Sequence, residues 1–413
     1  MPKLLISDVK GRIFAHPYLE ATGMEADFFS RISPKELIRL PQDSQLFRLP
    51  HRAPVGYDNG TKKFVVLKGC YAVAGFASPG FTITYNASYQ EIGKPKALPL
   101  FSYGAVASYK DELYVTAIRV DNDIRHDSRF IDITLVKKNI KKFKDIFIHN
   151  RLVRHLEKCA LVYRCPNAQN FFLSRYEAPL PTSPLCNAAC LGCISYRYDK
   201  NCRGTQGRIR FKPSAEEVSE IALFHIANAN KAVVSFGQGC EGEPLLACDT
   251  IEKSIRLIRK ATDRGTINMN TNGSNPEAVC RLFDAGLDSV RVSLNSVQEA
   301  YYMKYHKPIG YTFKDVFQSI KIAKNKGGFV SINYLIMPGF TDSCDEHIAF
   351  KRFIEKYRVD MVQWRNLNFD PPRYFKELNV RIGSGKLIGI REVIASIKKC
   401  FPHLRAGYFN PSI

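Results

Sequence analysis

Three cysteines stand close together in the stretch Cys186-Asn-Ala-Ala-Cys190-Leu-Gly-Cys193, behind a lead rich in proline (Pro179, Pro181, Pro184). Three thiolates on one short loop can hold three irons of a cubane cluster and leave the fourth iron open. A structural zinc or single-iron site would call for a fourth ligand close by. Three ligands therefore suit a cluster that must bind an outside molecule. A zinc site stays open as the alternative until the context is read.

That context is an alternation of strands and helices. Phe171–Tyr176 reads as a first strand, followed by the cysteine loop. Ser214, with Glu217 three residues on, opens a helix to about Ala229 as a capping box. Strands are expected at Lys231–Phe236, Thr266–Asn270, Asp288–Leu294, Phe329–Ile336 and Met361–Trp364. Helices are expected at Asp249–Thr262, from Asn275-Pro276 to Gly286, at Phe313–Asn325 and at Glu346–Tyr357. The pattern predicts an α/β fold, a partial (β/α)6 barrel over residues 166–370, with its chemistry at the C-terminal ends of the strands.

The cysteine spacing, followed by this alternation, resembles the radical S-adenosylmethionine (SAM) superfamily over about 200 residues. The resemblance implies that Cys186, Cys190 and Cys193 hold a [4Fe-4S] cluster whose open iron is chelated by SAM. It implies that Gly242 and Glu243, in Gly237-Gln-Gly-Cys-Glu-Gly-Glu-Pro244, receive the SAM amino group. Asn270 and Asn272, then Ser293 and Asn295, match elements that hold the SAM ribose and carboxylate. Met337 in Met-Pro-Gly-Phe340 is implied to lie on the adenine, with Arg365, Asn366 and Asn368 completing the pocket. One electron from such a cluster cleaves SAM to a radical that takes hydrogen from an unactivated carbon.

Residues 1–165 read as a β-rich domain carrying a basic helix and a candidate metal site. The first 60 residues look like an extended or partly helical lead-in. Strands are expected at Phe64–Leu67, Tyr71–Ala74, Phe81–Tyr85, Tyr114–Ile118 and Phe130–Leu135. Lys137, Lys138, Lys141, Lys142 and Lys144 interleave with Ile140, Phe143 and Phe147 at helical spacing. They are either a solvated helix face or a docking surface for an acidic macromolecule. Cys159 and Cys165, with Cys70 and Cys202 as distant completions, form a candidate auxiliary iron or zinc site. Cys240, Cys248, Cys280 and Cys344 show no metal spacing and read as core or incidental thiols.

The chain has 413 residues, 45% apolar, with 12 cysteines and a net charge of +21. Cysteines at this density without a secretory leader suggest metal ligands and a cytoplasmic home. No run of about 20 apolar residues is present, so no membrane partner is expected. No nucleic-acid motif accompanies the charge, so an acidic protein is the expected partner.

Cys165-Pro-Asn-Ala-Gln-Asn170 and Ala178-Pro-Leu-Pro-Thr-Ser-Pro184 resemble the methanogenesis marker radical SAM family. That resemblance implies a cobalamin-dependent C-methyltransferase. Its protein substrate would be the α subunit of methyl-coenzyme M reductase, methylated at C5 of an arginine, with a separate electron donor for the cluster. Cobalamin would sit with a small C-terminal domain at 371–413, including a basic helix at Leu387–Lys399, and Tyr114 would be a ligand of the open iron. Acidic groups for the arginine would come from Glu177, Asp199 or the Asp121–Asp127 cluster. Two alternatives were open: a radical SAM maturase without cobalamin, and a non-enzymatic nucleic-acid-binding protein with structural zinc. Only Cys400 lies beyond the barrel, against the first. Zinc alone does not explain polar elements at four strand ends, against the second.

Overall fold

The computed structural model describes residues 1–196, 204–380 and 387–413. Seven parallel strands in sequential order form one sheet. They are β1 (Glu177–Pro179), β2 (Val233–Phe236), β3 (Thr266–Thr271), β4 (Ser289–Leu294), β5 (Phe329–Ile336), β6 (Met361–Asn366) and β7 (Arg405–Gly407). The expected fold class holds: a partial barrel of parallel strands with an antiparallel sheet N-terminal to it.

Successive side chains on a strand point to opposite faces. The helix-facing set is apolar: Ile267 and Met269, Val290 and Val292, Ile332 and Tyr334, Val362 and Trp364 are all at most 1% exposed. The inward set is polar: Asn268 and Asn270, Arg291 and Ser293, Ser331 and Asn333, Gln363 and Arg365. Buried parallel strands are usually apolar on both faces. A polar inner face here marks the inside of the barrel as a place for a polar ligand.

The helices begin where their caps require. Ser214 accepts from the Glu217 backbone and the Glu217 carboxylate accepts from the Ser214 N–H, opening Ala215–Asn228. Asn275 caps Pro276–Ala285, which ends at Gly286 in the left-handed region. Phe313–Asn325 matches its expected bounds, capped by Thr312.

Four expectations are corrected. Phe171–Tyr176 is not a strand: Pro166–Phe172 is a helix, α3, because Pro166 favours its first turn and Phe171 and Phe172 bury on its inner side. Phe130–Leu135 is not a strand either. Asp132 accepts from Thr134 and Leu135 N–H and starts helix α1, Ile133–Ile146. The single basic helix is two, since Asn150 caps a second one, α2, at Arg151–Leu161. The first 60 residues are strands, from Lys3–Ser7 onward, in an antiparallel sheet of 14 strands that runs to Arg119.

Lysines 137, 138, 141, 142 and 144 are exposed while Val136, Ile140 and Phe143 pack on the barrel helices, so the charged side of this helix faces outward. The N-terminal sheet sits over strands β5 and β6. Thr82 donates to the Trp364 carbonyl at 2.6 Å, and the Asn366 amide pairs with Ile83 N–H and the Phe81 carbonyl. Residues 371–413 give helices Pro371–Leu378 and Ile390–Cys400, then strand β7, which pairs with β6. The tail then enters the barrel. Asn410 donates to Glu177 at 2.7 Å and to Asn270, and accepts from Gln363 and Arg291. Among the described residues no helix is long and apolar enough to cross a membrane.

Candidate active site: a three-cysteine loop at the barrel mouth

The loop 186–193 is held at the barrel mouth by its backbone. Ala189 and Leu191 N–H donate to the carbonyls of His306 and Tyr305, and Ile309 N–H donates to Asn187. On the other side, Gly242 N–H donates to Ser183 and Glu243 N–H to Leu185. An added Cβ on Gly242 would stand 1.8 Å from the Leu185 carbonyl, so only glycine permits this approach.

Cys186, Cys190 and Cys193 face one another. Burial and then the Glu243 carboxylate push Cys186 up to about 11, and burial with the neighbouring thiols pushes Cys190 well above the usual thiol range. Raised, half-buried thiols such as Cys186 and Cys190 ionise more readily with cationic charge beside them, which is what a metal cluster supplies. Two partners had no signal in the sequence. The neutral His306 ring, held down to about 3 by burial, places Nδ1 3.3 Å from Cys190 Sγ. Arg208 donates to Cys193 Sγ at 3.6 Å and to Ser195 at 3.0 Å. Donors to the sulfurs tune the potential of such a cluster. The residues fit a [4Fe-4S] cluster.

The expected SAM residues gather at the ends of β2 to β5. Glu243 is buried and accepts from Thr271 Oγ1 and Leu245 N–H on one oxygen, and from Asn272 N–H on the other. Burial raises it to about 7 against these donors. Asn272 donates to Asn187 beside Cys186 at 2.8 Å. Asn270 is spent on the Phe236 carbonyl and Asn410. Ser293 accepts from Asn333 at 2.9 Å, and Asn295 donates to Tyr374 at 3.2 Å. Met337 is buried under the N-terminal sheet, its sulfur 3.8 Å from the Asn86 amide. Four buried polar atoms in this region lack a partner: Ser274 Oγ, Arg291 Nε, Asn295 Oδ1 and Asn333 Oδ1. Buried polar atoms are normally paired, so orphans in the loops after β3 and β4 (Ser274, Asn295) and on the inner strand face (Arg291, Asn333) fit a polar ligand such as SAM.

Glu241 does a different job. Its buried carboxylate collects the N–H groups of Thr182, Ser183, Gly237 and Gln238, which fixes the loop that carries Glu243 against the cysteine loop.

Other expected residues lie elsewhere. Tyr114 pairs with Ala107 and Arg39 in the N-terminal sheet, edge-on to Tyr109 at 5.5 Å, away from the cysteines. The tyrosine beside the loop is Tyr305, whose hydroxyl would lie 2.6 Å from a Cβ on Gly192. Cys70 donates to Leu67 at 3.8 Å and packs against Leu4, Ile6 and Leu19, so it joins no metal site with Cys159. Cys202 and Asp199 lie outside the described residues. Cys240 is a buried core thiol, as expected, but its sulfur also meets Cys159 and His155. Asn366 is used up in joining the sheets, and Arg365 donates to the Tyr408 carbonyl at 2.9 Å under its own tail.

The Radical SAM superfamily matches residues 180–350. The chain is 25% identical over 178 residues to the FeMo cofactor biosynthesis protein NifB of Klebsiella pneumoniae, covering 40% of this chain and 38% of that protein. It is 25% identical over 209 residues to an uncharacterized protein of Methanocaldococcus jannaschii, covering 48% and 63%. The chain thus spans less than two thirds of either relative. Among solved structures, methylornithine synthase (PylB) is similar over 65% of this chain and 77% of its own, with 15% identity and a TM-score of 0.40. With the three thiols, the polar strand ends and the family match on the same residues, the chain carries a radical SAM domain at 180–350.

Proposed function

We propose that this chain is a radical SAM enzyme that takes a hydrogen atom from an unactivated carbon of a protein or peptide. The observation that carries it is the three-thiol loop set against a mouth of orphaned polar atoms. With cluster and SAM bound, reductive SAM cleavage supplies the radical. The chain's own residues position it. Glu243 offers a carboxylate to an ammonium, and Asn272, Ser293 and Asn295 offer amides and a hydroxyl. Met337 and the sheet above it close off water, as radical chemistry requires. The tail through Asn410 seals the barrel from below.

The finer form of the proposal is methyl transfer to C5 of an arginine in the α subunit of methyl-coenzyme M reductase. It is supported by the resemblance of residues 165–170 and 178–184. Cobalamin does not fit the described residues expected to hold it. Strand β7 and the tail are engaged with β6 and the barrel interior, and no buried polar atom among the described residues of 371–413 lacks a partner. No step is derived through it. The interior charge also weighs against a cationic side chain: Arg125, Arg291 and Arg365 gather there around Glu177.

The test is anaerobic reconstitution with iron, sulfide, SAM and dithionite. Formation of 5′-deoxyadenosine, lost in Cys190→Ala, supports the radical SAM reading; its absence at about four irons per chain defeats it. Adding methylcobalamin and a peptide carrying the target arginine tests the finer form. A 14 Da gain on arginine supports it, and an unmodified peptide with active SAM cleavage rejects it.

A further inference from the structure

A second cluster of soft ligands lies outside the cysteine loop. His155 and Cys159 are four residues apart on α2, so both project from one side of the helix. Cys240, 81 positions beyond Cys159 and in the loop after β2, comes to meet them. The ligand atoms of His155, Cys159 and Cys240 lie within 4.8 Å of one another, with the two thiols buried. His155 Nε2 stands 3.6 Å from Cys159 Sγ. Zinc bonds of about 2.3 Å to sulfur and about 2.0 Å to nitrogen put adjacent tetrahedral ligands about 3.5–3.8 Å apart. That is far tighter than the spread of thiolates around a cubane.

The candidate for a fourth ligand is Cys165, six residues after Cys159. Cys165 N–H donates to the Cys159 carbonyl at 2.9 Å. Cys165 is the N-cap residue of α3, and burial pushes its thiol up to about 11. Cys165 interacts electrostatically with both Cys159 and Cys240.

We propose that His155, Cys159, Cys165 and Cys240 hold a zinc ion that fastens the loop carrying Glu243 to helix α2. Three thiolates and one imidazole are a closed structural donor set, with no position left for substrate. Cys240 lies next to Glu241, which pins the cysteine loop, and three residues before Glu243. The ion therefore ties the helical layer to the SAM-binding loop. The site does not depend on the radical SAM reading, because none of its ligands is Cys186, Cys190 or Cys193.

The test uses the full chain with Cys186, Cys190 and Cys193 all changed to Ala, purified without chelator. Elemental analysis is expected to find one zinc per chain. Cobalt exchange should give a thiolate-to-cobalt absorption band. Cys159→Ser and Cys240→Ser should each lose at least tenfold in zinc retention against a competing chelator. His155→Cys should keep the ion, which separates ligation from misfolding. Zinc below about a tenth of an equivalent, zinc unaffected by both serine variants, or a Cys159–Cys240 disulfide in its place would overturn the proposal. SAM cleavage by the wild-type chain is read separately, so one reading can fail without the other.

Discussion

Arg52 and Asp370 stand 318 residues apart in the chain and 3.0 Å apart in space. Both are at most 2% exposed. Arg52 also donates to the Pro50 and Lys96 carbonyls, and Asp370 accepts from Leu98 N–H at 3.0 Å. This pair locks the N-terminal sheet to the segment that follows β6. Removing one partner leaves the other buried and uncompensated, a loss of about 3–5 kcal/mol. Asp370→Ala is therefore expected to lower the denaturation midpoint strongly. Arg52→Met with Asp370→Leu should recover much of the loss, measured by denaturant titration.

His306 and Arg208 touch the cluster sulfurs without being ligands. Losing such an outer partner typically costs about 10–100-fold in activity or affinity. His306→Phe is expected to keep the iron but slow SAM cleavage by about tenfold. Its cluster potential should become more negative, because a donor to thiolate sulfur is gone. Redox titration followed by electron paramagnetic resonance measures the shift.

Glu243 has a raised pKa, about 7, from burial. Above that pH it is ionised and can pair with an ammonium; below it the charge is lost. SAM affinity should therefore fall as pH drops from 8 to 6, and Glu243→Gln should bind weakly and without that pH slope. Equilibrium binding under anaerobic conditions gives both curves.

The carboxyls of Glu25 and Asp342 face each other between the N-terminal sheet and the loop after β5. Burial and the neighbouring Asp342 carboxylate raise Glu25 to about 8, while burial raises Asp342 to about 6 against a hydrogen bond from Glu25 that lowers it. Raised carboxyl values mean the stabilising proton is fully held near pH 4 and is lost as pH rises through 6 and 8. Glu25→Gln should raise Tm at pH 8.5 by about 2 °C, a scale set by about 1 kcal/mol in a large domain. The gain should shrink toward pH 5. Calorimetry at several pH values decides it.

Gly242 tolerates no side chain because the Leu185 carbonyl occupies the Cβ position. Gly242→Ala is expected to push the loop away from Cys186 and to reduce reconstituted iron and SAM cleavage together. Retention of both at wild-type level would show that the close approach is dispensable.

Local signals carried much of the fold. Capping residues Ser214 and Asn275 placed two helices, because an N-cap side chain satisfies N–H groups within its own turn. The alternation Ser-Val-Arg-Val-Ser-Leu in β4 set an apolar face against a polar one, since strand side chains alternate. The spacing of Cys186, Cys190 and Cys193 was likewise legible within eight residues. Tertiary structure decided what depends on contacts between distant segments. Cys240 meets Cys159 only because the loop after β2 packs on α2. Tyr305, His306 and Arg208 reach the cysteine loop from 15 to 116 positions away with no pattern of their own. Strand β7 was missed because three residues, Arg405–Gly407, carry no periodicity and form a strand only by pairing with β6. Spacing can announce ligands on one loop. Ligands on separate elements become a site only once packing has set the distances.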